Sequence, residues 1–166
     1  MTLESVRAAT RIFLDATIFI YHATGASPEC RGLLERCEAG EVAGVTSVVV
    51  LAEVAHRLMM IEAVAAGLVS GKDVVKKLRS KPDIVGRLHV YHEQVERIPL
   101  MGVDVLPLDL GTMLRSAHFR RQYGLLVNDS LVVAAARGSG VGHLASADPD
   151  FGRVKELKVY HPGDLG

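Results

Sequence analysis

The sequence predicts a three-layer α/β/α domain with a central, mostly parallel sheet of about five short strands. Two observations carry this. Short apolar runs alternate with longer stretches that bear helix start and stop signals, the order expected of a parallel sheet covered by helices on both faces. The chain has 166 residues, 49% hydrophobic and 23% charged. It shows no internal repeat, linker or low-complexity stretch, which suits one domain with a sizeable core. That domain is expected to span residues 1–166, with a helical segment at about 61–100.

RIFLD (11–15) is an apolar run ending in an acid and reads as a buried strand. TIFIYHAT then reads as the first turns of a helix, with Thr17 near its start. SPECRGLLERCEAG (27–40) has an N-cap serine, a proline at the first helical position and Gly40 as its stop. EVAGVT (41–46) reads as the second strand. Ser47 is expected to cap the long helix that follows, which runs to Ala66 before Gly67. Within the helical segment, one short helix should stop at Pro82 and another, DIVGRLHVYHEQVERI, at Pro99. VDVLPLD (103–109), VGHLAS (141–146) and LKVYHP (157–162) read as three further strands. LGTMLRSAHFRRQYG and NDSLVVAAARGSG read as two helices between the first two of these.

Lys plus Arg equals Asp plus Glu at 19 each, so any nucleic-acid contact must come from a local basic patch. Arg115, Arg120 and Arg121 form one such group, and a solvated helix face is the competing reading. Cys30 and Cys37 fit no zinc spacing and are placed badly for a disulfide, which suits a reduced cytoplasm. No signal core and no run long enough for a membrane span is present, so a cytoplasmic protein without membrane contact is expected.

Acids stand at informative places. Asp15 ends the first strand and Asp148 follows VGHLAS, where open α/β sheets place their ligands. Glu53 and Asp129 interrupt apolar helical runs. Each has an ordinary explanation: Glu53 can pair with Arg57 one turn on, Asp129 can favour a helix start, and the other two can shape turns. A shared explanation is a divalent cation, which relieves the repulsion among clustered carboxylates. Oxygen ligands without cysteine suit Mg²⁺ or Mn²⁺. Such a site polarises a phosphoryl oxygen and activates water, which points to phosphodiester hydrolysis without a covalent intermediate. The Glu53 carboxylate is then expected within about 4–6 Å of that of Asp15.

These stretches, IFLDATIFIYH, TSVVVLAEVAHRL, LLVNDSLVVAAA and HLASADPDFGRV, resemble the PIN-domain family, especially VapC-type toxins of toxin–antitoxin pairs. The resemblance runs from about residue 11 to 160 and implies a metal-dependent endoribonuclease with a PIN-like parallel sheet. It assigns Asp15, Glu53, Asp129 and Asp148 to catalysis and to a Mg²⁺ or Mn²⁺ ion. Thr17, Ser47, Ser146 and Asp150 would support them. It further implies an RNA substrate, a small antitoxin that caps the pocket, and a homodimer. Ala16 stands where the family usually has a hydroxyl residue, and residues 61–100 are longer and more helical than in the small toxins.

The alternative is a non-catalytic PIN-like scaffold that binds RNA or protein. Such modules tend to lose acids, and all of them are present here. An unrelated α/β hydrolase would need a nucleophile, yet no GxSxG occurs and neither cysteine lies beside an obvious base.

Overall fold

The computed structural model describes residues 1–165. The chain opens with a 3-10 turn, Leu3–Ser5, and then forms β1 (Arg11–Leu14), α1 (Ala16–Thr24), α2 (Pro28–Glu38), β2 (Ala43–Ser47) and α3 (Val48–Ala65). Three short helices follow: α4 (Val74–Arg79), α5 (Pro82–Val85) and α6 (Val90–Arg97). A second 3-10 turn leads to β3 (Val103–Leu106), α7 (Leu110–Tyr123), α8 (Val127–Gly138), β4 (His143–Ala145) and, after a third, β5 (Lys158–Tyr160).

All five strands pair in parallel, in the order β3-β2-β1-β4-β5. Central β1 sets the layering. Successive strand residues point to opposite faces, and Ile12, Phe13 and Leu14 are all fully buried. Helices must therefore cover both sides, which gives the three layers. From β1 the chain steps outward through β2 to β3, then jumps back across β1 to β4. The reversal makes the cleft between the carboxyl ends of β1 and β4 the topological switch point, where such sheets bind ligands.

Local signals explain most boundaries. The Ser27 hydroxyl accepts the Cys30 N–H at 3.0 Å and starts α2, with Pro28 at its first position. Gly102, at φ +69°, turns the chain into β3 in the left-handed region, and a Cβ there would stand 2.5 Å from the Cys37 carbonyl oxygen.

The helical segment departs from expectation. DIVGRLHVYHEQVERI does not form one helix; it divides into α5 and α6 around Gly86–His89. Pro82 starts α5 rather than ending the helix before it, because its missing N–H costs nothing in a first turn. α6 has no side-chain cap of its own. Glu62 of α3 supplies one, accepting the N–H groups of His89 at 3.0 Å and Tyr91 at 2.8 Å. Ala63, Val69, Leu78, Ile84 and Leu88 form a small second core, and Tyr91 packs against both it and the main one. Leu3 and Val6, which no sequence signal marked, are buried in the main core, where Thr2 bridges His161 beside β5. No helix among the described residues is long and apolar enough to cross a membrane.

Candidate active site

The switch point is built around Asp15. It follows β1 directly and serves as the N-cap of α1, with extended backbone that lets its side chain turn back over the helix start. Its Oδ2 accepts the Thr17 hydroxyl at 2.8 Å, the Ser146 hydroxyl at 2.7 Å and, at 3.4 Å, the Thr17 N–H. Both hydroxyls are held from behind. Thr17 Oγ1 accepts the Ala147 N–H at 2.9 Å, and Ser146 Oγ accepts the Asp148 N–H at 3.0 Å. Each hydroxyl spends its one hydrogen on Asp15. The contacts converge on one oxygen, and among the described residues none reaches Oδ1.

Asp148 caps the turn Pro149–Arg153 by accepting the Asp150 N–H at 2.8 Å. Asp150 is ion-paired with Arg153. Glu53 enters from α3 and Asp129 from the first turn of α8. Burial, then the charges of Asp15 and Asp129, push the Glu53 carboxyl above its ordinary range, against the pull of Arg57 and Asn128. Burial, then Asp148, Asp15 and Asp150, push Asp129 up as well. The acids thus share one field, although they come from four separate segments of the chain. As the side chains lie, no three His, Cys, Asp or Glu groups among the described residues are gathered tightly enough to grip an ion.

The donor set nonetheless fits a hard divalent cation. It is all oxygen, it carries repulsion that a cation would relieve, and Asp15 turns a free oxygen toward no protein donor. The ordinary reading of Glu53 holds beside this one: Arg57 Nη1 lies 3.9 Å from its Oε1.

The remaining sequence candidates fall in different places. Ser47 occupies the N-cap position of α3 but makes no cap bond; its Oγ is buried without a partner among the described residues. It is still the last residue of β2, in register with Leu106, so the strand directs its side chain. Ser47→Ala is therefore expected to change stability by less than about 0.5 kcal/mol, whereas loss of a working cap costs about 1 kcal/mol. Urea unfolding of the pair measures the difference. Arg120 is spent between helices, donating to Ser116 Oγ at 2.8 Å and Ser130 Oγ at 2.9 Å. Arg115 donates to Thr112 at 2.9 Å, and Arg121 is exposed at the end of α7.

Sequence reading missed a groove of about 360 Å³ beside Glu53, lined by Val49, Ala52, Glu53, His56, Arg57 and Asn128. Its signal was present, since positions 49, 52, 53 and 56 share one face of a helix, and Asn128 adjoins Asp129.

Comparison with known proteins agrees with this architecture. The family described as PIN domain matches residues 12–157. Ribonuclease VapC2 of Methanocaldococcus jannaschii is 27% identical over 153 residues, covering 90% of this chain and 92% of that protein. VapC20 of Mycobacterium tuberculosis, a toxin that cleaves the sarcin–ricin loop, superposes with a TM-score of 0.58 at 16% identity, over 87% of this chain and 95% of that one. VapBC2 of Rickettsia felis, solved with a promoter DNA fragment, gives 0.57 at 16% identity, over 92% and 98%. A toxin–antitoxin complex of Klebsiella pneumoniae gives 0.53 at 20% identity, over 89% and 95%.

Proposed function

The chain belongs to the PIN-domain family, and from that premise we propose that it is a divalent-metal-dependent endoribonuclease acting as the toxin of a toxin–antitoxin pair. The carrying observation is the arrangement around Asp15: two hydroxyls fix one of its oxygens, the other meets no donor among the described residues, and its charge helps raise the carboxyls of both Glu53 and Asp129.

Asp15, Glu53, Asp129 and Asp148 are the residues that would hold Mg²⁺ or Mn²⁺. When bound, the ion supplies positive charge against the phosphoryl group and lowers the pKa of water near it. The chain's own residues do the rest. Thr17 and Ser146 lock the Asp15 carboxylate in one rotamer, so the free oxygen needs no reorganisation. Asp148 is set by its bond to the Asp150 N–H, and Asp150 shapes that turn while its charge is met by Arg153. Glu53 and Asp129, whose carboxyls are raised by burial and by their acidic neighbours, are the groups whose ionised form a nearby cation would favour. The hydrolysis needs no protein nucleophile.

Relatives of the same fold are solved as toxin–antitoxin complexes, which supports a small antitoxin as partner. A second copy of the chain and an RNA substrate complete the proposed set. The direct test offers purified protein a single-stranded RNA with Mg²⁺ or Mn²⁺, and again with EDTA. Cleavage only with the divalent ion is expected. Cleavage undiminished by EDTA would sink the metal mechanism, and no cleavage together with no Mn²⁺ uptake by calorimetry would favour a scaffold role.

A further inference from the structure

We propose that Arg57, with Asn128 and the Val49–Ala52 surface of α3, forms a nucleotide subsite in which the guanidinium holds an RNA phosphate beside the acid cluster. The inference rests on the ribonuclease reading above and names how that site takes its substrate.

An acidic pocket faces a difficulty with a polyanion. Its carboxylates repel the phosphates they are to act on, so a cation close by must offset the repulsion. Arg57 is the one Lys or Arg among the groove's lining residues, and the groove opens onto Glu53 itself. Other arginines near the site are committed elsewhere: Arg120 to two serine hydroxyls and Arg153 to Asp150. Arg57 is held loosely. Its contact with Glu53 is 3.9 Å long, and its side chain is 46% exposed. An exposed pair of that length is weak, so the guanidinium can exchange Glu53 for a phosphate and engage it through two parallel N–H donors.

The neighbouring groups suit the rest of a nucleotide. The Asn128 amide offers both a donor and an acceptor to a base edge. Val49 and Ala52 give the groove an apolar wall. Its volume of about 360 Å³ falls in the range of about 300–1,000 Å³ typical of small-ligand sites. An acidic protein segment would also suit Arg57, but the groove's continuity with Glu53 favours the molecule on which that acid is proposed to act.

The test is equilibrium binding of a short single-stranded RNA in EDTA, by fluorescence polarisation across a range of salt. Arg57→Ala is expected to weaken binding about 10-fold and to flatten the slope of log affinity against log salt by about 0.7, the share of one phosphate on a single strand. Arg57→Lys should keep that slope. Mn²⁺ affinity by calorimetry should stay within about 2-fold, because Arg57 touches a proposed ligand but supplies none. Melting should be unchanged, because the side chain is half exposed. RNA affinity and slope unaltered by Arg57→Ala overturn the subsite and leave the groove to another partner, a protein segment included. Parallel loss of Mn²⁺ binding also overturns it, since Arg57 would then act only through Glu53. If the wild-type protein neither binds nor cuts RNA, the ribonuclease reading falls first; if it does both and Arg57→Ala matches it, only the subsite falls.

Discussion

Asp15→Asn is expected to lower RNA cleavage by about 10³-fold, the several kcal/mol that a correctly held divalent ion contributes, while leaving the fold intact. The substitution keeps what the fold needs. Asparagine is as good an N-cap as aspartate, and its carbonyl oxygen can take the Oδ2 place and receive the Thr17 and Ser146 hydroxyls. It removes what the chemistry needs, because an amide nitrogen then stands where the free Oδ1 was and presents hydrogens instead of a lone pair. Single-turnover cleavage and far-UV circular dichroism on one preparation separate the two effects. Retained cleavage with retained structure would remove Asp15 from the site, and lost structure would assign it to the cap alone.

Asp129→Asn should abolish cleavage to a similar extent and yet raise the melting temperature of the metal-free protein. The sign follows from linkage. Burial and the charges of Asp148, Asp15 and Asp150 lift the Asp129 carboxyl above its ordinary 3.8 in the folded state. Between that value and the raised one the native state binds more protons than the unfolded state, so stability falls as pH rises through the window. Above it the full penalty remains, and an uncharged amide of the same shape escapes it. A gain of about 1 kcal/mol would appear as about 2–4 °C for a chain of this size. The gap should close below about pH 4, where the carboxyl is protonated in both states. Saturating Mn²⁺ should reverse the order, since an ion at about 100 times its dissociation constant adds about 2.7 kcal/mol to the wild type. Scanning calorimetry at pH 3.5, 5 and 7, with and without the ion, tests each part. A variant less stable than wild type at pH 7 in EDTA would show that Asp129 is not under the repulsion described.

Much of this was legible in the sequence, for local reasons. The short apolar runs became strands because Ile12, Phe13, Leu14 and their neighbours have no polar face to turn outward. Asp15 and Asp148 stand out in the sequence because polar residues at strand ends are informative in this class of sheet. What escaped depended on contacts between distant segments. The break between α5 and α6 hangs on Glu62, which caps α6 from another helix. Ser47 looked like a cap because capping is local, but its strand register decided otherwise. The burial of Leu3 follows from a bridge between the two ends of the chain. Arg57 both pairs loosely with Glu53 and lines the groove beside it, and only the pairing is visible from helix spacing.

The jump from β3 back to β4 also bears on how the protein comes into being. The Ser146 hydroxyl that fixes Asp15 is separated from it by 131 positions along the chain. A chain emerging from the ribosome carries Asp15, Glu53 and Asp129 before β4 exists; Thr17 can already hold the first of them, but the Ser146 contact is missing and Asp148 is still to be added. Pairing Phe13 with Leu144 closes the longest loop between neighbouring strands in the sheet, a late step by the entropy of loop closure. Chains terminated before that strand are therefore expected to lack the assembled pocket. Whatever hazard the finished pocket poses begins only when translation has passed that strand.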